Sequence, residues 1–358
     1  MGQSKQTIFY RDKPLFGLDI GHGSLKVMQM DGGSGHIAKL EGYGTASFDG
    51  DVIEDGVIAH PEAVAEALKS LFSKNLIGDI TTRRVALTIP TYRTFTRAIN
   101  LPKLKPKDLA QAVETEAERY IPLPPAELYL DFEIINSTED TQDLLAVAIP
   151  KKIVNSYILL TRLVGLEPVL IETTMHAAAK ILNRDKNSDV PTMIIDFGSL
   201  SSDISLCSRQ KILVMGTVQG GGESFTHVIE KALSVSFEAA GIIKNKYGLG
   251  ASKKQAEITA ALEPTLAPII KEIRRMLRYY EERFVSEKPI SQIVILGGGA
   301  NMPGLGDYLT NKLRLPVRTL DPWQYFDYHR LQPPAKDDKS MFSTVAGLSL
   351  TSPEEIFK

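Results

Sequence analysis

Two short turns, each preceded by an aspartate, carry the residues of this sequence best suited to chemistry. The first lies in LDIGHGSLKV (18–27), where an apolar run ends at Asp19 and a turn with two glycines follows. The second lies in IDFGSLSSDIS (195–205), which repeats the order of apolar run, aspartate, glycine and small polar residues from Asp196. Glycine lets the backbone approach a ligand without a Cβ in the way, and a carboxylate can hold the water shell of a divalent cation. The pair predicts two hairpins that grip a phosphate chain from both sides of a cleft.

The residues of these turns can each be given a role around a metal-bound phosphate chain. Asp19 and Asp196 would hold waters of the metal ion, and Lys26 would reach a phosphate. Backbone N–H groups of the turns would meet phosphate oxygens. The residues predicted to bind phosphate are Gly21, His22, Gly23, Ser24, Lys26, Gly198, Ser201 and Ser202. A single Asp-x-Gly is a common turn, so the prediction depends on the ordered repetition.

A third glycine-rich segment, LGGGANMPGL (296–305), follows an apolar run and precedes a helical pattern. Three consecutive glycines there would let a flat adenine and its ribose lie against the backbone. The segment lacks the G-x-G-x-x-G spacing of dinucleotide-binding folds. On its own this segment is weak evidence for a nucleotide site, and its position after the two turns is what supports that prediction.

The elements that must position these turns fall into two similar halves. Hydrophobic periodicity and the positions of Gly and Pro indicate where strands and helices begin and end. The first half is predicted to contain strands within 15–48, at 83–90, 127–135 and 143–150, and helices at 60–75, 106–121, 151–164 and 173–183. The second half is predicted to contain a hairpin within 192–207, helices at 222–233, 236–246, 253–261 and 264–285, a strand before the three glycines, and a short helix in STVAGLSL. Residues 321–340, including Trp323, read as an irregular surface loop.

Length and composition limit the alternatives. A chain of 358 residues is long for one core, and we expect a first domain at 8–190, a second at 191–340, and a segment at 341–358 that returns to the first. The boundary falls in the polar loop 183–190. A net charge of −2 gives no reason to expect nucleic acid as a partner. One cysteine excludes a disulfide framework, and the absence of a signal-length apolar stretch leads us to expect a cytoplasmic protein.

The order of the three glycine-rich segments resembles that of the actin-like ATPase superfamily over nearly the whole chain. The resemblance implies an α/β fold of two domains, each built on a five-stranded mixed sheet, with ATP and Mg²⁺ between them. It implies that the segment GGGESFT (220–226) and a later lysine also contact the nucleotide. The residues that it implies for adenosine binding are Gly221, Gly222, Lys244, Gly298, Gly299 and Met302.

A narrower resemblance lies in INLPKLKPKDLAQAVETEAERYIPLPPAELYLDFEII (99–135). This segment is similar to the small inserted subdomain of the PilM family of type IV pilus assembly proteins, in the Leu-Pro before the helix, the Tyr-Ile-Pro that closes it and the Leu-Asp-Phe that opens the next strand. The segments GGGESFT and VAGLSL match the same family. The resemblance implies an inserted subdomain at 92–151, ATP binding, and a partner, the cytoplasmic N-terminal tail of a PilN-like inner-membrane protein. Such a protein would be peripheral to the inner membrane through its partner, and a homo-oligomer is also compatible with it.

Two residues that depart from the superfamily pattern lead us to expect slow ATP turnover. Gly241 stands where an Ala-Glu-x-x-Lys motif ending at Lys244 would place its glutamate, and Ser202 stands where many relatives have threonine. We therefore expect at most a slow ATPase. Relatives place a water-orienting group at the position of Glu172, which the resemblance implies as the catalytic residue. An acid that stabilises the start of the following helix is the alternative interpretation.

Two other functions of the same fold stay open at this point. A sugar or metabolite kinase would need a catalytic aspartate in the first half outside the phosphate turns, and we find no convincing candidate. A filament-forming division protein related to FtsA would typically end in an amphipathic membrane-binding helix, and GLSLTSPEEIFK is short and acidic. The helix at 264–285 has a basic face at Arg274, Arg275 and Arg278, which we expect to be solvated.

Overall fold

The computed structural model describes residues 14–31, 37–182, 184, 190–284, 288–328, 330–351 and 356. The first residues of the expected first domain, most of the polar loop 183–190 and part of the expected terminal segment 341–358 lie outside the described residues.

The first half contains the strands β1 (Phe16–Ile20), β2 (Ser24–Asp31), β3 (Ala38–Ser47), β4 (Ile53–Glu54), β5 (Val57–Ile58), β6 (Leu76–Gly78), β7 (Arg84–Ile89), β8 (Phe95–Pro102), β9 (Leu128–Ser137), β10 (Thr141–Pro150) and β11 (Glu167–Thr173). Its helices are α1 (Pro61–Ser70), α2 (Pro106–Glu118), α3 (Lys151–Leu163) and α4 (Thr174–Leu182).

The second half contains β12 (Thr192–Phe197), β13 (Ser201–Ser208), β14 (Lys211–Gln219), β15 (Gln292–Leu296), β16 (Val317–Thr319) and β17 (Phe326–Asp327). Its helices are α5 (Gly222–Leu233), α6 (Phe237–Lys246), α7 (Gln255–Arg283), α8 (Leu305–Leu313) and α9 (Ser343–Ser349).

The same strand arrangement lies at the centre of both large sheets. The first sheet has seven strands in the order β11-β7-β1-β2-β3-β17, with β6 also paired with β3, so the short strands β6 and β17 extend the five that were expected. Within this sheet β1 pairs antiparallel with β2 and parallel with β7. In the second, ordered β14-β13-β12-β15-β16, β12 pairs antiparallel with β13 and parallel with β15. The hairpin turns therefore lie at the carboxyl ends of central strands, which is where open α/β sheets bind ligands. The internal repeat expected from the sequence is confirmed at the level of topology.

A third, smaller sheet is inserted between β7 and β11. Its strands follow the antiparallel order β8-β10-β9. Leu109 and Val113 of α2 are buried against Ile99 and Leu144 of this sheet. The inserted element therefore has a core of its own.

The long helix α7 corrects the prediction of two separate helices at 253–261 and 264–285. It runs unbroken through Pro264 and Pro268. Its buried residues form one stripe that continues past both prolines, from Ile258 and Leu262 to Ile269 and Ile273. Burial of this stripe outweighs the loss of two backbone N–H donors, because packing of the apolar face supplies most of a helix's stability.

The region 321–340 corrects the prediction of a surface loop. Trp323 is 1% exposed and packs edge-on against Tyr43 and Phe342. The strand β17 that follows pairs parallel with β3, so the chain has returned to the first sheet by residue 326. Further on, a Cβ at Gly347 would lie 1.8 Å from the carbonyl oxygen of Ala177, so only glycine lets α9 pack this closely on α4.

Candidate functional site

The two hairpin turns face each other across the cleft between the large sheets. Nε2 of His22, in the first turn, lies 3.9 Å from Oε2 of Glu223 at the start of α5 in the second half. Burial raises the pKa of Asp196, and the negative charge of Asp19 on the facing hairpin adds to that rise. The two aspartates predicted as a metal site therefore lie on facing hairpins, and their joint role in holding a metal stays a prediction.

Asp19 is held by the sheet on one side and by a cation on the other. Its Oδ1 accepts a 2.7 Å hydrogen bond from the hydroxyl of Thr88, which lies on the neighbouring strand β7. Its Oδ2 lies 3.9 Å from Nζ of Lys26, and that ammonium donates a 3.1 Å hydrogen bond to Ser24. Lys26 is 7% exposed, so its charge is directed inward toward the carboxylate. That it also reaches a phosphate stays a prediction.

Asp203 is a site residue that sequence reasoning missed. It lies directly opposite Asp196 in the β12–β13 hairpin, and it accepts a 2.5 Å hydrogen bond from Thr217 of β14. Burial raises the pKa of Asp203 to about 7. Burial and the neighbouring charge of Asp203 raise the pKa of Asp196, also to about 7. Two such carboxyl groups would be driven toward their charged forms by a bound cation.

Hairpin register could have revealed this residue. In the first hairpin Asp19 pairs with Lys26, and in the second Asp196 pairs with Asp203. Equivalent positions thus carry a lysine in one half and an aspartate in the other. The repeat was recognised from its turns, and extending the comparison along the second strand of each hairpin would have singled out Asp203.

The backbone of the second turn is joined to the start of α5. The N–H groups of Gly222 and Glu223 donate to the carbonyls of Gly198 and Ser199, at 2.8 and 3.0 Å. A Cβ at Gly221 would lie 2.4 Å from the Gly198 oxygen, so this approach requires glycine. The turn and the GGGESFT segment therefore form one rigid unit.

The remaining turn residues are placed as follows. The Gly21 N–H donates to the Ser24 carbonyl at 2.9 Å, and the Gly23 carbonyl accepts from Phe48, which shapes the first turn. Ser201 is buried, and the buried hydroxyl of Ser202 donates to the Gly220 carbonyl at 2.8 Å. The roles predicted for all of these residues toward phosphate stay predictions.

The segments implied for adenosine meet beside this unit. A Cβ at Gly222 would lie 4.0 Å from the Cα of Gly299, and a Cβ at Gly298 would meet nothing within 4 Å. Nζ of Lys244 donates 2.8 Å hydrogen bonds to the Gly222 carbonyl and to Thr226, and burial lowers the pKa of Lys244. The backbones of Gly222 and Gly299 approach each other and the space at Gly298 is open, an arrangement that suits a flat adenine ring.

Two further residues bear on this region. Met302 is 4% exposed and packs in the core of the second half. A Cβ at Gly241 would have only a methyl group of Thr226 near it, at 3.9 Å. The helix α6 therefore has room for a side chain where relatives carry glutamate.

Glu172 lies at the end of β11, in register with Thr88. Its carboxylate is 3.0 Å from Nζ of Lys180 on α4, and the same ammonium donates to Thr351. The side chain is 14% exposed. Glu172 therefore stands on the same row of the sheet as Thr88 and Asp19, two strands from the latter, and its catalytic role stays a prediction.

Within the described ranges, no group of three or more His, Cys, Asp or Glu side chains is close enough to form a metal-ligand cluster. Paired carboxylates without a full ligand set fit Mg²⁺, because this ion keeps several waters and is bound through one or two carboxylates together with substrate phosphates.

The inserted sheet carries a groove of about 370 Å³ between α2 and β9. Leu123, Leu128, Leu130 and Phe132 supply its apolar surface, and Glu114 and Glu118 are among the polar groups around it. The strand β9 is an edge strand, since the described residues pair it with β10 alone. The lining residues all belong to the inserted subdomain.

The inserted sheet also contacts the second half. Nζ of Lys211 donates to the Ile134 carbonyl at 2.7 Å, and Arg283 forms a 2.8 Å ion pair with Asp143. The edge of the inserted sheet and the edge strand β14 are thereby held together across the molecule.

Comparison with known proteins identifies the family of this chain. The model of the family described as type IV pilus assembly protein PilM matches residues 17–353. The chain belongs to the PilM family.

Solved structures agree with that assignment. A structure described as the PilM-PilN type IV pilus biogenesis complex is 25% identical with a TM-score of 0.81, over 94% of this chain and 97% of that chain. The ethanolamine utilization protein EutJ from Carboxydothermus hydrogenoformans is 14% identical with a TM-score of 0.56, over 94% and 89% of the two chains. MreB 5 of Spiroplasma citri bound to AMPPNP is 16% identical with a TM-score of 0.54, over 94% and 95%. The actin-like α/β fold expected for this PilM-family chain is confirmed.

Among the described residues of this PilM-family chain, no helix combines the length and apolarity needed to cross a bilayer.

Proposed function

We propose that this PilM-family protein binds ATP with Mg²⁺ in the cleft between its two large sheets, and that its inserted subdomain docks the N-terminal tail of a PilN-like inner-membrane protein during type IV pilus assembly. The observation that carries the proposal is the approach of the first turn to the start of α5, 3.9 Å between His22 and Glu223, with Asp19 and Asp196 on the two facing hairpins beside glycine-rich backbone.

The residues of the cleft fit a metal-bound nucleotide. Asp19 and Asp196 would hold the water shell of Mg²⁺, with Asp203 beside Asp196, and the bound ion would neutralise charge on the phosphates. The two turns would face the phosphates, and Gly222, Gly298 and Gly299 would lie against adenosine. The structure of MreB 5 with AMPPNP, which shares the fold, supports this placement of function in the fold but not the individual contacts.

We propose slow ATP turnover at most. Glu172 would orient the attacking water, as phosphoryl transfer to water requires. Its carboxylate is engaged by Lys180 at 3.0 Å, and Gly241 supplies no ribose contact. Both features favour a protein that uses nucleotide as a structural ligand.

The partner follows from the family and from the groove. The related structure is a complex of PilM with PilN. Here the groove between α2 and β9 offers an unpaired strand edge beside apolar side chains, which is the arrangement that an extended peptide adds to. Docking there would place the protein on the cytoplasmic side of the inner membrane through its partner. We propose a first domain at 8–190 with the inserted subdomain at 92–151 and a second domain that begins at 191. The chain returns to the first domain by residue 326, before the expected limit of 341, because β17 pairs with β3.

Two titrations of the full chain test the proposal. Calorimetry with ATP in the presence of Mg²⁺ should show saturable binding, and a labelled synthetic tail peptide should bind with micromolar affinity, about −8 kcal/mol. Absence of ATP and ADP binding by the folded protein would contradict the first part, and absence of peptide binding would contradict the second.

A further inference from the structure

A second groove lies on the second half, and none of the predicted nucleotide or peptide contacts lines it. It has a volume of about 590 Å³ and lies between α7 and α8. Its lining residues are Glu263, Ala267, Ile270, Lys271, Arg274, Leu277, Arg278, Glu281, Tyr308 and Lys312. The proposed function assigns nothing to it.

The lining residues of α7 follow the spacing of a helix–helix seam. Positions 263, 267, 270, 274, 277 and 281 alternate steps of four and three residues, the spacing of a and d positions in a heptad repeat; Ala267, Ile270 and Leu277 are apolar, and Glu263, Arg274 and Glu281 are charged. The stripe covers about 27 Å at 1.5 Å per residue. The neighbouring face of α7 is buried in the core of the second half, and Ile270 and Leu277 lie at the border between that core and the seam. The floor of the seam is formed by Ala267, Ile270 and Leu277.

The charges beside the seam favour an acidic partner. Lys312 is neutralised by Glu263 at 2.7 Å, and Arg274 donates to the Lys312 carbonyl at 2.8 Å, which closes the end of α8. Lys271 and Arg278 are exposed and form no ion pair with any side chain in the described part of the chain. They occupy successive e positions of the heptad, about 10.5 Å apart, which is where coiled coils place the charges that select a partner.

We propose that this seam, defined by the α7 residues 263–281 and by Tyr308 and Lys312 of α8, docks an acidic amphipathic α-helix of a partner protein. The apolar a and d residues of that helix would cover Ala267, Ile270 and Leu277. Its flanking Glu or Asp side chains would pair with Lys271 and Arg278. The sequence led us to expect a basic face that is only solvated. That interpretation changes because apolar residues at heptad spacing line the groove beside the cations.

The test uses the full chain and a labelled 21-residue helical peptide with Leu at a and d positions and Glu at e and g positions. We expect saturable binding by fluorescence anisotropy that weakens as salt is raised, because the ion pairs are exposed and screened. The double variant K271E/R278E should bind at least about tenfold more weakly, a change of about 1.4 kcal/mol. The control K231E/K253E changes the net charge equally at two exposed positions outside the seam, and it should bind like the unmodified chain. A thermal melt checks that both variants are folded.

Three outcomes would overturn the proposal. Equal loss of binding in the seam and control variants would show a charge effect without a site. A peptide with Lys in place of Glu that binds as tightly would remove the acidic specificity. Absence of peptide binding would reject the occupant, and two parallel measurements would then identify another: sedimentation for a dimer lost in K271E/R278E, and flotation with vesicles containing phosphatidylglycerol. None of these results depends on binding of ATP or of the PilN-like tail.

Discussion

The hydroxyl of Thr88 donates a 2.7 Å hydrogen bond to Oδ1 of Asp19, and this bond joins two neighbouring parallel strands at their carboxyl ends. It fixes one oxygen of the carboxylate and leaves the other on the side of Lys26. A carboxylate held this way is pre-positioned, so little conformational entropy is lost when it meets the water shell of a cation.

Removing either cleft aspartate should weaken ATP binding in the presence of Mg²⁺. Asp19→Ala and Asp196→Ala each remove a carboxylate near the expected metal, and we expect affinity to fall by about tenfold or more. Isothermal titration calorimetry measures the change. Asp51→Ala, at an exposed position in the first half, serves as the control and should bind normally. Unchanged affinity in both cleft variants would place the metal elsewhere.

The stability of the protein without nucleotide should fall as pH rises from about 4 to about 7. The pKa values of Asp196 and Asp203 are raised to about 7 in the fold, so the folded state holds protons that the unfolded state has already lost in this range. Their stabilising contribution is complete below the unfolded pKa near 4 and is lost as pH rises through 7. Each group contributes on the order of a few kcal/mol at most.

Thermal denaturation across this range tests the point. Asp203→Asn should flatten the pH dependence of Tm between pH 4 and 7, because the asparagine does not titrate. Glu139→Gln, at an exposed position, should leave the slope unchanged. A slope of the same size in Asp203→Asn would show that other groups are responsible.

The topology was predictable because short sequence motifs mark the turns and strands of both halves. The apolar run, aspartate and glycine of each hairpin occur twice, and the structure places both hairpins at the centres of equivalent sheets. Two strands and the helix of the inserted sheet were predictable, since prolines mark both ends of α2, whereas β8 was not predicted as a strand.

What the sequence did not reveal depends on contacts between distant segments. Trp323 is in a polar stretch, and only its packing against Tyr43, almost three hundred residues earlier, makes it a core residue. Pro264 and Pro268 are local signals to stop a helix, and the buried stripe of α7 overrides them. Asp203 belongs to no motif, and only its register with Asp196 indicates that it lies at the site.

Restoring the missing glutamate should raise nucleotide affinity. Gly241 lies on α6, three residues before Lys244, and a Cβ there meets only a methyl group at 3.9 Å. We expect Gly241→Glu to bind ATP several-fold more tightly, through a new contact to the ribose. Gly241→Ala is the matched control, since both substitutions stabilise the helix by about 0.5–1 kcal/mol but only glutamate adds the contact. Equal affinity in the two variants would exclude a ribose contact at this position.

ATP turnover should be slower than about 1 s⁻¹, below the median enzyme rate of roughly 10 s⁻¹. A phosphate-release assay on the protein alone measures it, and brisk hydrolysis would contradict the prediction. If turnover is detected, Glu172→Gln should reduce it without weakening ATP binding, because the amide keeps the size of the side chain but cannot take up a proton. Lys180→Met distinguishes the two interpretations of Glu172. If Glu172 is a structural acid, removal of its partner should lower the stability of the fold. If Glu172 is catalytic, the substitution should change the rate of ATP hydrolysis. Unchanged turnover in Glu172→Gln would remove this residue from the reaction.

The tail of a PilN-like protein should bind through the inserted sheet. Leu130 and Phe132 are half-buried residues of the edge strand β9 that line the groove beside α2. Ordering a short peptide costs conformational entropy, so a few apolar anchors must supply the affinity, and a charge placed among them should abolish it. We expect Leu130→Asp to weaken binding of a synthetic tail peptide by at least about tenfold. Leu159→Asp, at a side chain of α3 that is 57% exposed, makes the same chemical change outside the groove and should bind normally. Equal binding by the two variants would place the peptide site elsewhere on the first half. The ATP titration of Leu130→Asp should be unchanged, which separates loss of the docking site from loss of the fold.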